Sequence, residues 1–100
     1  MLYNIIWSER AVKNLKSIEK YIAENSGNQS KIVVKEIINY VEKLCRLPYM
    51  GSIVQELNDN KFRQLIKYSY RIIYTIQNDQ IQVITIIHSK QELLSTFKKH

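Results

Sequence analysis

The first third of the chain repeats its apolar residues at helical spacing. A short run with β-propensity, from Tyr3 to Trp7, comes first and predicts a strand. Ser8 follows as a favourable N-cap, and a helix is predicted from there to about Asn25. Its apolar positions recur at intervals of four, three and four residues and form one face, made by Ala11, Leu15, Ile18 and Ile22.

A second helix is predicted after the Asn25-Ser26-Gly27 cluster. It runs from about Ser30 to Leu47 and is ended by Pro48 and Gly51. Its apolar stripe consists of Ile37, Val41 and Leu44. Two amphipathic helices joined by a short link form a helical hairpin.

After Gly51 the apolar period changes from helical to extended. Four strands are predicted, at Ile53–Leu57, Phe62–Lys67, Tyr70–Gln77 and Gln80–His88, and residues 91–97 would add a short helix. The order of elements predicts a single α+β domain over residues 1–100. Its antiparallel sheet of three or four strands is covered on one face by the helical hairpin.

A two-residue turn at Asn78 and Asp79 would set the register of the last hairpin. In a regular ladder Gln77 pairs with Gln80, Tyr74 with Val83 and Arg71 with Ile86. The face predicted to lie under the helices then holds Tyr70, Ile72, Tyr74, Ile76, Ile81, Val83, Thr85 and Ile87. The open face holds Arg71, Ile73, Thr75, Gln77, Gln80, Gln82, Ile84, Ile86 and His88. On that face His88 lies diagonally across from Arg71.

The strand that carries Arg63 is connected by a loop of uncertain parity around Tyr68. An even loop would turn Arg63 and Lys67 toward the helices, where unpaired charges are costly. An odd loop would turn both to the face of Arg71 and His88. We therefore predict the odd loop, which places Lys67 about opposite Arg71 and favours binding of an anion there.

The net charge of +6 is concentrated in the C-terminal part of the chain. Residues 1–60 hold eight Lys and Arg against seven Asp and Glu, whereas residues 61–100 hold seven against two. This asymmetry favours an anionic partner, either nucleic acid or an acidic protein, and is equally compatible with a solvated basic surface.

Other features indicate a cytoplasmic protein. Cys45 is the only cysteine and fits a reducing compartment, and the start of the chain has no basic region typical of a signal peptide. No apolar run is long enough for a membrane span. We predict no metal and no cofactor, because the chain has neither a Cys/His cluster nor a glycine-rich phosphate loop.

Several motifs together resemble the RelE/ParE superfamily of toxins from type II toxin-antitoxin modules. They are W-S-x-x-A-x-x-x-L-x-x-I-x-x-Y-I from Trp7 to Ile22, P-x-x-G from residue 48, E-L at residue 56, Y-R-I-I-Y from residue 70 and I-I-H ending at residue 88. The resemblance covers nearly the whole chain. It implies a cytoplasmic protein that arrests growth when free, takes part in plasmid stabilisation or stress response, and is neutralised by an antitoxin in a toxin-antitoxin hetero-oligomer.

One activity that the resemblance implies is RelE-like cleavage of mRNA at the ribosome, without a metal. Attack by the RNA 2′-hydroxyl needs a base, cationic stabilisers and an acid. By resemblance Glu56 would be the base, Arg63 and Arg71 the stabilisers, and His88 the acid. The basic pair that follows the histidine in the family is missing, since Ser89, Lys90 and Gln91 stand there.

The other implied activity is ParE-like inhibition of DNA gyrase, which requires no catalysis, so whether the chain is an enzyme depends on the target. The long helical hairpin and the ending H-S-K-Q-E-L-L resemble gyrase poisons, and we favour this reading. The residues predicted to bind the partner are Lys67, Lys90, Glu92, Leu93 and Phe97.

A further reading is a non-toxic basic domain that binds nucleic acid. Only the charge and the fold class support it.

Overall fold

The computed structural model describes residues 2–91 and residue 93, and within these residues a five-stranded sheet separates two layers. Its strands are β1 (Asn4–Trp7), β2 (Ser52–Ile53), β3 (Phe62–Lys67), β4 (Tyr70–Gln77) and β5 (Gln80–His88). They lie in the order β1-β5-β4-β3-β2. The α+β prediction is confirmed, with a sheet larger than the expected three or four strands.

The sheet is mixed because β1 joins it in the parallel direction. β1 pairs with β5, from Asn4 beside Gln80 to Trp7 beside Val83. The remaining neighbours pair antiparallel, as predicted. The sequence pattern identified the N-terminal strand but gave no partner for it, since a parallel pair has no connecting turn to mark it.

The helical hairpin consists of α1 (Glu9–Ser26) and α2 (Gln29–Glu42). Ser8 caps α1 as predicted, because its side chain accepts a hydrogen bond of 3.0 Å from the Ala11 amide. The second helix is shorter than predicted, since a 3₁₀ turn, Lys43–Cys45, replaces its last part. Among the residues that the structure describes, no helix combines the length and apolar character needed to cross a membrane.

The main core lies between the hairpin and one face of the sheet. Both helices, the 3₁₀ turn after α2 and the three central strands contribute buried residues, namely Ala11, Ile18, Ile37, Val41, Leu44, Leu65, Ile72, Tyr74, Ile81, Val83 and Ile86. Six of the residues predicted to lie under the helices belong to this core or pack on it: Tyr70, Ile72, Tyr74, Ile76, Ile81 and Val83. This part of the face prediction is confirmed.

The predicted register fails beyond a β-bulge in β5. Tyr74 lies opposite Val83 as expected, but Ile73 lies opposite Thr85, so the pairing passes over Ile84. The extra residue shifts every later pair by one position and exchanges the faces. Arg71 therefore pairs with Ile87, not with Ile86, and His88 pairs with Tyr70 on the helix side. The prediction that Arg71 and His88 share the open face was wrong.

Helix α1 satisfies the backbone groups around the bulge. The Ser8 hydroxyl donates to the Ile84 carbonyl oxygen at 2.6 Å. The Asn14 side-chain oxygen accepts from the Ile86 amide at 2.9 Å and from the Thr85 hydroxyl at 3.0 Å. The bonds to the Ile84 carbonyl and the Ile86 amide replace ladder bonds that β1 does not supply, because β1 ends at Trp7, which pairs with Val83.

The loop between β3 and β4 is also different from the prediction. Lys67 pairs with Tyr70, so the connection is the two-residue loop Tyr68–Ser69, which is even. Arg63 and Lys67 consequently lie on the helix side of the sheet, and Lys67 is not opposite Arg71. The odd loop was favoured because unpaired charges are costly, but both cations have partners on the helix side.

A smaller core covers the other face of the sheet. Val54, Ile73, Ile87 and Leu93 are buried there, with Leu57 and Phe62 packed against them. The predicted strand Ile53–Leu57 is instead the last residue of β2 followed by a 3₁₀ turn, Gln55–Leu57. This 55–57 turn crosses over the sheet, so the face predicted to be open is partly covered.

Gly51 lies where the chain leaves the hairpin and meets the central strands. Its amide donates a hydrogen bond of 3.0 Å to the Tyr74 hydroxyl, which itself donates to the Pro48 carbonyl oxygen at 2.9 Å. A Cβ atom at residue 51 would lie 2.4 Å from the Gln64 carbonyl oxygen and 2.6 Å from the Tyr74 hydroxyl oxygen. The close approach of the two backbones requires glycine.

We expect Gly51→Ala to lower the free energy of unfolding by roughly 1–3 kcal/mol, because the added methyl group displaces Tyr74 or β3. Urea denaturation would measure the loss. The matched control is Ser52→Ala at the next, exposed position. Equal unfolding midpoints for both variants would contradict the packing described here.

Candidate functional site

Arg71 and Glu56 form an ion pair on the face of the smaller core. The Arg71 guanidinium donates to both carboxylate oxygens of Glu56, at 2.7 Å and 3.0 Å. Its Nε donates to the Gln64 side-chain oxygen at 2.7 Å. The Arg71 side chain is 11% exposed and that of Glu56 is 45% exposed. All three guanidinium nitrogens are therefore occupied, and the pair fastens the 55–57 turn to β4.

This pairing determines the protonation state of Glu56. The hydrogen bonds from Arg71 are the largest influence and lower the pKa of the Glu56 carboxyl, while burial acts in the opposite direction. A carboxylate with a lowered pKa is a weak proton acceptor. The geometry therefore suits a structural ion pair better than a general base.

Arg63 lies on the helix side of the sheet, where backbone and aromatic groups hold it. Its Nη1 donates a hydrogen bond of 2.6 Å to the Gly51 carbonyl oxygen. The guanidinium carbon stands 4.9 Å from the centroid of the Tyr49 ring. Arg63 thus supports the segment that leads from α2 into the sheet.

His88 also lies on the helix side, at the far end of β5. Its ring meets the Tyr70 ring edge to face, with centroids 5.6 Å apart and an interplanar angle of 82°. Its Nδ1 accepts a hydrogen bond of 3.2 Å from the Lys90 amide. Burial raises the pKa of the neighbouring Tyr70 hydroxyl.

The four residues predicted for catalysis are therefore divided between the two faces. Glu56 and Arg71 are in direct contact on one face, and the sheet separates them from the other two. Arg63 and His88 share the helix side, but Arg63 is level with Tyr74 and His88 with Tyr70. Four residues along a strand span about 13 Å. The structure brings together one pair of the four.

A cluster of cations and tyrosines beside α2 was not predicted. The Lys67 ammonium lies 4.0 Å from the Glu36 carboxylate and 5.4 Å from the centroid of the Tyr40 ring. Lys43 lies 5.6 Å from the same centroid. The Tyr68 hydroxyl donates a hydrogen bond to Glu36, which raises the pKa of that hydroxyl. The spacing of residues 36, 40 and 43 along one helical stripe was the available signal.

The residues predicted to bind a partner differ in exposure and in their position on the fold. Lys67 is half-buried in the α2 cluster and Lys90 is exposed. Leu93 is buried in the smaller core. Glu92 and Phe97 lie outside the described residues. Within residues 2–91 and 93, no three His, Cys, Asp or Glu side chains form a group that could hold a metal ion.

Comparison with known protein families gives one match over most of the chain. The family described as the ParE toxin of the type II toxin-antitoxin system parDE matches residues 5–93. No curated protein matches the sequence.

Solved toxin structures share the fold at low sequence identity. A chain of the chromosomal ParDE system from Pseudomonas aeruginosa superposes with a TM-score of 0.74 at 17% identity, covering 87% of this chain and 96% of that one. A mutant of the E. coli toxin RelE in its free state gives 0.67 at 16% identity, covering 96% and 93%. A chain of the RelBE2 toxin-antitoxin complex from Mycobacterium tuberculosis gives 0.64 at 16% identity, covering 88% and 99%. These likenesses confirm the RelE/ParE-like fold predicted from the sequence.

The Glu56–Arg71 pair predicts an acid-dependent loss of stability. Because the pKa of Glu56 is lowered, the pair stabilises the fold above the ordinary carboxyl value of 4.5, and this contribution is lost as the pH falls through the lowered pKa. Glu56 is 45% exposed, so we expect at most about 1 kcal/mol. At neutral pH wild type should melt above Glu56→Gln, by no more than about 4–8 °C. The difference should shrink as the pH is lowered through the depressed pKa of Glu56 and vanish once the carboxyl is protonated.

The control for this experiment is Glu42→Gln, which changes an exposed carboxylate on α2. Its difference from wild type should stay small throughout the titration. A difference between wild type and Glu56→Gln that persists in acid would show that the charge of Glu56 is not its source.

Proposed function

This chain belongs to the family of ParE toxins of type II toxin-antitoxin systems, and on that premise we propose that it arrests growth by inhibiting DNA gyrase. It acts in the cytoplasm and needs no metal or cofactor. Its cognate antitoxin neutralises it by forming a toxin-antitoxin hetero-oligomer. The solved relatives include a ParDE toxin-antitoxin system and a RelBE2 toxin-antitoxin complex, which supports an antitoxin as partner.

The division of the catalytic candidates supports a non-enzymatic toxin. Cleavage of RNA requires a base, an acid and cationic groups within hydrogen-bond reach of one phosphate. Glu56 and Arg71 are in contact but neutralise each other, and His88 lies on the opposite face. An inhibitor that acts by binding needs no such convergence.

The charge of the chain supports an acidic partner surface. The net charge of +6 raises the rate of encounter with an acidic protein, whether that is the antitoxin or a surface of gyrase. We propose that Lys67 and Lys90 contribute contacts to these acidic partners, together with Glu92 and Phe97 in the C-terminal segment. Leu93 would act indirectly, by packing against Val54 and Ile73 and so anchoring the start of that segment.

We expect induced expression of the chain without its antitoxin to arrest growth, and co-expression of the antitoxin to restore it. Colony counts after induction measure both effects. Normal growth of cells that contain the folded, soluble chain would remove the main support for a toxin and favour a basic domain that binds nucleic acid.

Purified protein should inhibit supercoiling by gyrase, and Glu56→Gln should inhibit it equally well. The substitution keeps the shape of the side chain and removes its charge. A nuclease that used Glu56 as its base would lose about 100-fold or more of its activity in the same variant. Supercoiling of relaxed plasmid and primer extension on translated mRNA are the two measurements. Codon-registered cuts by wild type that vanish in Glu56→Gln would assign the RelE-like activity instead.

A further inference from the structure

A cleft opens between α1 and the end of the sheet, separate from the Glu56–Arg71 pair. Its volume is about 320 Å³, near the lower end of the range for ligand pockets, about 300–1,000 Å³. Helix α1 lines it with one stripe of residues and the ends of β4 and β5 line it from the other side. The side chains that matter are those of Ser17, Ile18, Tyr21, Tyr70, Ile86 and His88.

The cleft has the chemistry of a site for an apolar side chain. Tyr21, which forms one aromatic wall of the cleft, is 63% exposed to solvent. Tyr70 and His88 provide the opposite wall in edge-to-face contact. Ile18 and Ile86 are buried beneath. The Asn14 oxygen, which also borders the cleft, is already bonded to β5. Aromatic walls over an aliphatic floor favour an aromatic or branched apolar group.

The borders of the cleft are basic. Lys13 and Lys20 lie four residues before and three residues after Ser17, so both neighbour it on the exposed surface of α1. Lys90 is exposed beside the other wall. Among the acidic residues of α1, Glu24 is the one at neighbouring spacing, three residues beyond Tyr21. An occupant with acidic groups on both sides of an apolar anchor is therefore complementary in charge.

The two last described residues lie toward different faces of the sheet. Gln91 borders the cleft on the helix side of the sheet. Leu93, two residues later, is buried on the other face with Val54, Ile73 and Ile87. Gln91 and Leu93 thus lie toward opposite faces of the sheet.

We propose that this cleft receives an apolar side chain of the antitoxin, carried on an acidic segment whose carboxylates face Lys13, Lys20 and Lys90. The proposal rests on the toxin function proposed above, and it assigns neutralisation to a surface distinct from the ion pair on the opposite face. A buried anchor with a charged rim is the usual arrangement of a binding hot spot.

The test fills the cleft from its helical wall. Ser17→Trp places an indole where the anchor would bind, and Ala23→Trp adds the same group at an exposed position of α1 that does not border the cleft. The probe is the antitoxin, for which the candidate is the product of a short acidic open reading frame beside the gene. We expect Ser17→Trp to weaken its binding at least about tenfold in calorimetric titration, and Ala23→Trp to bind as wild type.

Growth provides a second measurement that separates this proposal from the proposed function. Ser17→Trp should arrest growth as wild type does, but co-expressed antitoxin should no longer restore it. If expression of the wild-type chain does not arrest growth, the proposed toxin function fails. The calorimetric titration would still show whether the cleft binds the probe. If Ser17→Trp unfolds, the charge reversals Lys13→Glu and Lys20→Glu provide the measurement, with weaker binding expected from each.

Three outcomes would overturn the proposal. The first is wild-type affinity in Ser17→Trp, or in both charge reversals where Ser17→Trp does not fold. The second is unchanged affinity with loss of a homodimer in light scattering, which would assign the cleft to a second copy of the chain. The third is unchanged affinity in Ser17→Trp together with a loss of melting temperature equal to that of Phe97→Ala. That result would assign the cleft to the C-terminal segment of the same chain, because both substitutions would then disturb one internal contact.

Discussion

The contact between the start of α1 and the bulge of β5 determines where the polar residues of this protein lie. An inserted residue leaves backbone groups without ladder partners, and such groups are costly unless something else bonds them. Here the Ser8 hydroxyl bonds Ile84 and the Asn14 side chain bonds Thr85 and Ile86. Ser8 also caps the helix through the Ala11 amide. One short segment thus begins the helix, seats it on the sheet and accommodates the bulge.

The functional surfaces follow from that contact. A regular ladder would have placed His88 on the same face as Arg71, as a nuclease site that uses both residues would require. With the bulge, His88 contacts Tyr70 and borders a cleft with α1, while Arg71 pairs with Glu56 on the other face. The same sequence therefore presents two separate surfaces, one closed by an internal ion pair and one open to a partner. This separation fits a toxin that acts by binding.

The cations of β3 show why burial of charge is a weak guide to strand parity. Lys67 lies against Glu36 and the Tyr40 ring, and Arg63 donates to the Gly51 carbonyl oxygen. Long side chains reach the margin of a covered face while their stems pack on it. The cost that favoured the odd loop applies to a charge without a polar partner, whereas Lys67 has a carboxylate partner and Arg63 donates to a carbonyl oxygen.

The sequence alone determined the local elements and the identity of most of the core. Helical spacing gave α1 and its Ser8 cap, alternation gave the last three strands, and the Asn78 turn fixed the pairing as far as Tyr74 and Val83. These features depend on neighbours in sequence. The tertiary structure decided the bulge, the parallel partner of β1 and the passage of the 55–57 turn over the sheet. Each depends on bonds between residues far apart in the chain, such as Asn14 to Ile86 and Glu56 to Arg71, and no local pattern encodes them. The family resemblance was readable because its motifs are mostly core positions, whereas the arrangement of the site was not.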